Sequence, residues 1–74
     1  MPKLSPVKPR ILIKFLEKQG FVKIRQKGSH IFFSHGDGRT TVVPLHGREE
    51  IRPGLLRKIL QDVKISPSEF LKSK

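Results

Sequence analysis

The first apolar residues of the chain recur at helical spacing. They are Ile11, Leu12, Phe15 and Leu16, which fall on one stripe of an α-helix. Pro9 suits the first helical turn, and Gly20 suits the residue that follows a helix end. The pattern therefore predicts a helix from about 9 to 19. Before it, Pro2 and Pro6 oppose regular structure, so residues 1–7 are expected to form a disordered start.

Three strand-like runs follow this helix, at about 21–26, 30–35 and 39–45. The second and third are separated by Gly36-Asp37-Gly38, in which Asp-Gly is a hairpin signal, since the central residues of such turns take positive φ. The connection Lys27-Gly28-Ser29 is also short. These features predict an antiparallel meander.

The C-terminal third has a second apolar stripe at helical spacing. It consists of Leu55, Leu56, Ile59, Leu60 and Val63. Pro53 is compatible with the first turn of this helix. Ser66-Pro67-Ser68-Glu69 has the form of a capping box and predicts a short helix at 67–72 that packs Phe70 and Leu71 against the rest.

The element order is thus α-β-β-β-α with a short C-terminal helix. Helices on one face of a three-stranded antiparallel sheet bury one side of every strand and leave the other side open. This α+β arrangement is the layout of double-stranded-RNA-binding domains. The 74 residues suffice for a single domain with one core, so any site must be shallow.

Charge indicates the class of partner. Sixteen Lys and Arg against six Asp and Glu give a net charge of +10, which attracts polyanions. A nucleic acid is therefore the expected partner, with a merely solubilising surface as the alternative. The basic residues are spread over all elements, and no apolar run is long enough to cross a bilayer. We expect a soluble cytoplasmic protein without a membrane partner.

The sequence offers few routes to catalysis. It has no cysteine, no phosphate-binding glycine loop and no zinc-protease motif, and the histidine spacings of five and eleven residues match no zinc pattern. We expect no metal or other cofactor. Histidine titrates near neutral pH, and RNA cleavage needs only proton transfer and charge stabilisation, because the 2′-hydroxyl of RNA attacks its own phosphate.

His30 is the best-placed histidine for such chemistry. Gly28 lets the backbone approach a phosphate closely, and Ser29 offers a hydroxyl and an amide donor. If Ile31 and Phe33 point into the core, His30 and Phe32 face solvent, where Phe32 can stack on a base. The opposite register would turn His30 towards the helices, and the pattern leaves both registers open. A purely structural strand histidine is the other reading.

The remaining basic residues receive supporting roles. Lys23, Arg25, Lys27 and Arg39 are expected to hold the RNA backbone, with Lys23 alternating with Arg25 on one strand face. His35 precedes the hairpin turn and is interpreted as a solvated loop residue. His46 follows the third strand, whose end should lie near the start of the second. It either supports His30 or caps the loop.

Several stretches, in this order along the chain, resemble the HicA family of toxins, the mRNA interferases of HicA–HicB toxin–antitoxin pairs. They are 15–21, then 25–30 with its Gly-Ser-His motif, then 42–46 with Pro-x-His, then 50–60 and 65–70. The resemblance covers about residues 11–71. It implies a fold like that of double-stranded-RNA-binding domains and cleavage of RNA independent of the ribosome. It also implies a HicB antitoxin as partner and a catalytic role for His30.

Two other functions stay open beside a metal-independent endoribonuclease. A non-catalytic RNA-binding module would use the same basic face and leave RNA intact. A domain devoted to protein association would do neither. The resemblance also leaves open whether His30 acts as acid, base or both, and what His46 contributes.

Overall fold

The computed structural model describes residues 3–73 of the chain, which form three helices and three strands. The elements are α1 (Pro9–Lys18), β1 (Val22–Lys27), β2 (His30–Ser34), β3 (Thr40–Pro44), α2 (Pro53–Asp62) and α3 (Pro67–Lys72). A proline occupies the first turn of every helix, where a missing N–H costs no hydrogen bond. The predicted order is confirmed, and the predicted bounds differ from the observed ones by at most one residue. None of these helices is long and apolar enough to cross a membrane.

The strands form an antiparallel sheet in the order β1-β2-β3. The β2–β3 loop is a hairpin, as predicted, but its geometry differs from the expected Asp-Gly turn. His35 and Arg39 close a loop of three residues, and only Gly38 has positive φ, at +99°. Asp37 lies in the turn formed by residues 35–38, in which the Gly38 N–H donates to the His35 carbonyl. This is the three-residue hairpin whose last loop residue must be left-handed.

The helices cover one face of the sheet, as in double-stranded-RNA-binding domains. On β2 the buried residues are Ile31 and Phe33, and on β3 they are Thr41 and Val43. Thr41 is a buried polar residue whose hydroxyl donates to the Asp62 carboxylate of α2 at 3.2 Å, so its burial leaves no unpaired oxygen. The opposite face of both strands remains accessible.

α3 begins and packs as the sequence predicts. The Ser66 hydroxyl accepts from the Glu69 N–H at 3.2 Å and caps the helix. Phe70 is fully buried, and its ring meets that of Phe15 edge-to-face with the centroids 4.9 Å apart. Leu71 packs at the margin of the core.

The start of the chain corrects one expectation. Residues 1 and 2 lie outside the described residues, but Leu4 and Val7 are buried in the core. Val7 also pairs with Ile51 through two backbone hydrogen bonds of 3.1 and 2.7 Å. Residues 4–7 therefore form an extended arm and not a disordered start. The prolines rule out a helix or a long strand there, but they permit this arm.

The structure of the outer strand β1 corrects a second expectation, which concerns Lys23 and Arg25. A β-bulge between Lys23 and Arg25 interrupts the pairing, so that Lys23 lies opposite the buried Phe33 while Arg25 lies opposite Phe32. Lys23 and Arg25 therefore face opposite sides of the sheet, and the predicted alternation on one face is wrong. The extra residue of a bulge reverses the side on which later side chains emerge, which the apolar pattern of an exposed edge strand does not reveal.

Gly20 joins α1 to the sheet in a conformation that other residues resist. Its φ is +95°, and a Cβ built on it would lie 2.9 Å from His35 Nε2. We predict that Gly20→Ala lowers the free energy of unfolding by about 1–3 kcal/mol, since both the backbone and the contact become strained. Urea denaturation monitored by circular dichroism measures this loss.

Gly54→Ala is the matched control. Gly54 lies in the first turn of α2 without positive φ, and a methyl group added there would meet no atom within 4 Å. The same substitution there is expected to raise the free energy of unfolding by about 0.4–1 kcal/mol, because alanine lowers the conformational entropy of the unfolded chain. Equal effects of the two substitutions would contradict this account of Gly20.

Candidate functional site

His30 begins β2 and lies on the open face of the sheet. Its neighbours Ile31 and Phe33 are buried, so His30 and Phe32 emerge on the side away from the helices. The sequence left two registers open, and the structure adopts the one that exposes His30. Neither ring nitrogen of His30 has a hydrogen-bond partner within residues 3–73.

The turn before His30 fixes its backbone. Lys27 and His30 pair across a loop of two residues, Gly28 and Ser29. Gly28 has a φ of +58°, whereas Ser29 is not left-handed, which defines a type II′ turn with glycine first. A Cβ on Gly28 would meet nothing within 4 Å, so the surface above the turn is open. The side-chain amide of Gln26 donates to the Gly28 carbonyl at 3.1 Å and braces the turn.

The pairing of β2 with β3 brings His46 to His30. His30 lies opposite Pro44, and the Leu45 N–H donates to the Ser29 carbonyl at 2.6 Å. His30 and Pro44 are therefore a non-hydrogen-bonded pair, in which side chains lie closest. His46, two residues on, emerges on the same face. The two imidazole rings lie 5.9 Å apart between centroids, at an interplanar angle of 88°.

The loop that carries His46 is fixed at several points. A turn after His46 is closed by the Glu49 N–H on the His46 carbonyl at 2.9 Å, with Gly47 at a φ of +56°. Beyond it, Ile51 pairs with Val7. The side chain of His46 caps nothing, since it has no hydrogen bond to the described part of the chain. The loop-capping interpretation of His46 therefore finds no support in the geometry.

Two of the four predicted backbone-binding residues lie beside His30. Lys27 is its direct cross-strand neighbour on β1. Arg25 lies opposite Phe32, and its guanidinium carbon is 4.7 Å from the centre of the Phe32 ring. This stacking orients the arginine over the open face. Lys23 faces the other side, where its ammonium donates to the Gln26 side chain at 3.2 Å.

Arg39 lies at the opposite end of the sheet from His30. It precedes Thr40, which pairs with Ser34 at the end of β2, whereas His30 is at the start of that strand. Its guanidinium donates to both Asp37 carboxylate oxygens, at 3.1 and 2.8 Å, and to the Val63 carbonyl. Arg39 thus ties the hairpin to the end of α2, and the geometry separates it from Arg25 and Lys27 beside His30.

His35 is a structural residue and not the solvated loop histidine that was expected. Its side chain is 24% exposed. Nε2 donates to the Gln19 carbonyl at the end of α1, at 3.1 Å, and Nδ1 accepts from the Asp37 N–H at 3.1 Å. The ring also packs edge-to-face on Phe21. The Gln19 carbonyl has no donor inside its own helix, so His35 satisfies an otherwise free helix terminus.

A broad groove of about 860 Å³ connects this open face with α2. The histidine pair and Phe32 line one part of it, and most of the rest comes from residues that sequence reasoning did not single out. They include Ile24, Val42, Pro44, Glu49, Glu50 and Leu55. The β3 members were accessible to prediction, because residues two apart on a strand share a face. The members from α2 depend on its packing beside β3, which the sequence does not specify.

The structure lowers the pKa of the Asp37 carboxylate. The Arg39 backbone N–H, which donates to it, holds the pKa of Asp37 below its ordinary 3.8, with help from the Arg39 side chain. A depressed pKa stabilises the fold above pH 3.8, and this contribution is lost as the pH falls through the folded-state pKa.

We predict that Asp37→Asn reduces the acid sensitivity of the fold. The amide oxygen of Asn keeps an acceptor for the Arg39 N–H but does not titrate, so the stability of the variant falls less steeply below about pH 4. Urea midpoints measured from neutral pH down to about pH 3 test this. Parallel curves for the two proteins would show that Asp37 contributes nothing to the pH dependence.

A comparison with protein families identifies the chain. A family model described as HicA toxin of bacterial toxin–antitoxin matches residues 9–65. The chain belongs to the HicA toxin family. The matched segment contains α1, the whole sheet and α2, and with them both His30 and His46. A search of curated proteins gave no match. As a HicA family member, the chain is the toxin component of a toxin–antitoxin system.

Proposed function

We propose that this HicA toxin is a metal-independent endoribonuclease that cleaves mRNA, with His30 as a general acid or base. The observation that carries the proposal is the environment of His30. It is exposed on an open sheet face, its ring nitrogens are unoccupied within residues 3–73, and a rigid turn fixes its backbone. A proton-transfer group must be within hydrogen-bond reach of its substrate, which a buried or engaged ring would not be.

The charges around His30 support the same reaction. Cleavage by the 2′-hydroxyl passes through a phosphorane that carries additional negative charge. Lys27 and Arg25 lie on the His30 side of the sheet, one opposite His30 and one two residues further along β1. Positive charge that is fixed before the reaction stabilises the phosphorane more than mobile solvent does.

Phe32 and Arg25 also offer a surface for a base. The guanidinium covers the Phe32 ring, which is half-buried, and planar guanidinium groups stack on unpaired bases as aromatic rings do. We propose that a nucleotide next to the cleaved linkage stacks here. Gly28 and Ser29 then lie where the backbone of the RNA crosses the sheet edge, and Ser29 supplies polar contacts.

We further propose a HicB-type antitoxin as the protein partner. A chain with a net charge of +10 and an uncovered sheet face presents a large surface to a partner that covers it. An antitoxin that occupies the groove beside His30 would exclude RNA sterically. The proposal is that inhibition works by covering this face and not by unfolding the toxin.

We predict that His30→Ala abolishes RNA cleavage and leaves the fold intact. Loss of one proton-transfer group lowers the rate by about 10²- to 10⁴-fold. Purified protein is incubated with labelled mRNA in EDTA, and products are separated on a denaturing gel. Ser34→Ala is the control, because Ser34 lies on the same face of β2 at the strand's other end.

Two results would contradict the proposal. Full cleavage by His30→Ala would remove His30 from the mechanism, and loss of wild-type cleavage in EDTA would show a metal requirement. Tight RNA binding by the wild type without any cleavage would instead identify a non-catalytic RNA-binding module.

A second prediction distinguishes basic residues that bind the RNA backbone from basic residues elsewhere on the surface. Arg25→Ala should weaken RNA binding and lower the slope of log K against log salt by about 0.7, the value for one phosphate contact on single-stranded RNA. Arg10→Ala removes the same charge from the exposed side of α1, in the helical layer, and should leave this slope nearly unchanged. Equal slopes for the two variants would mean that the open face does not bind the RNA backbone.

A further inference from the structure

We infer that His46 is the second proton-transfer group of this site and that His30 and His46 share the acid and base roles. The inference rests on the proposed ribonuclease function. Cleavage of an RNA linkage moves two protons, one from the 2′-hydroxyl and one to the departing 5′-oxygen. A single imidazole cannot hold and lack a proton at the same moment, so a second group is required.

His46 meets the geometric requirement for this partner. The two reacting oxygens are bonded to the same phosphorus, and each must come within about 2.6–3.2 Å of its histidine nitrogen. The two rings must therefore lie side by side, as His30 and His46 do at 5.9 Å between centroids. Because the edge of one ring meets the face of the other, no phosphate fits between the rings, and the linkage would lie across both of them on the open face.

The third histidine, His35, does not meet this geometric requirement. His35 follows the last residue of β2, whereas His30 is the first residue of that strand, so the two lie at opposite ends of it. Both ring nitrogens of His35 are engaged with the backbone of Gln19 and Asp37. A structural role explains His35 completely. A structural role does not explain His46, because that side chain is exposed and has no hydrogen bond to residues 3–73.

The backbone around His46 is held as a reactive group requires. One anchor precedes it, where the Leu45 N–H bonds the Ser29 carbonyl beside His30. Another follows it, in the turn closed by Glu49. Both anchors act on backbone atoms, so the loop holds its position without the imidazole. The ring is thus positioned next to His30 and remains available to a ligand.

The reaction balances with these two groups alone. One neutral imidazole removes the 2′-hydroxyl proton as the 2′-oxygen forms its bond to phosphorus. The bond from phosphorus to the 5′-oxygen breaks, and the other imidazole, which starts protonated, donates its proton to that oxygen. The products are a 2′,3′-cyclic phosphate and a free 5′-hydroxyl, and exchange with water restores both imidazoles.

The test compares two leaving groups. A linkage cleaved by the wild type is first mapped on mRNA, and oligonucleotides are then made with either oxygen or sulfur at its 5′-bridging position. Because a thiolate leaves without protonation, the variant that lacks the general acid should recover most of its rate on the sulfur substrate. His30→Ala and His46→Ala should both lose about 10²- to 10⁴-fold on the oxygen substrate, and one of the two should be rescued by sulfur.

Controls exclude a structural explanation. His46→Gln should be as inactive as His46→Ala, because glutamine keeps a polar side chain but transfers no proton. Leu45→Ala changes the neighbouring side chain, leaves the backbone anchor in place, and should cleave at nearly the wild-type rate. Affinity for a cleavage-resistant RNA with a 2′-deoxy group at the linkage, and the unfolding midpoint, should be unchanged in the His46 variants.

The outcomes separate this inference from the proposed function. A His46→Ala protein that cleaves within a few-fold of the wild type, while His30→Ala is inactive, overturns the role of His46 and leaves His30 in place. Sulfur rescue of both variants, or of neither, overturns the division of roles. If the wild type itself leaves RNA intact, the ribonuclease proposal fails, and the role of His46 fails with it.

Discussion

The register of β2 against its neighbours is the constraint on which the rest of the structure depends. Ile31 and Phe33 are buried beneath the helices, and this places His30 and Phe32 on the opposite face. A shift of one residue would bury the imidazole and expose two core side chains. Burial of each large apolar side chain stabilises the fold by about 1.5–3 kcal/mol, so the core itself keeps His30 accessible.

The same pairing gives the two ends of the sheet different tasks. At one end the type II′ turn, the Leu45–Ser29 hydrogen bond and the loop beyond β3 bring together two imidazoles whose nitrogens have no hydrogen bond to residues 3–73. At the other end the imidazole of His35 closes the terminus of α1. The three histidines thus differ in what their nitrogens bind, and this difference, more than their positions along the chain, separates the two histidines proposed for proton transfer from the structural His35.

The sequence predicted those features that local rules determine. Helix bounds follow from apolar stripes with a proline at each start, and the cap of α3 follows from Ser66. Features that depend on tertiary contacts escaped prediction. The bulge in β1 placed Lys23 and Arg25 on opposite sides of the sheet, Leu4 and Val7 joined the core, and Gly20 lies against His35 where no side chain would fit. Apolar periodicity carries no information on such contacts.

The small size of the domain and the reaction proposed for it are consistent for a chemical reason. An enzyme that must supply its own nucleophile needs a cleft that positions and activates it, whereas RNA carries its nucleophile on the same sugar as the reacting phosphate. The protein then has to supply only proton transfer and positive charge. In the proposed mechanism, two imidazoles and the neighbouring Lys27 and Arg25 meet that need on a shallow sheet face. A face that is open enough to admit RNA is equally open to a protein partner, so the proposed catalysis and the proposed inhibition depend on the same open geometry.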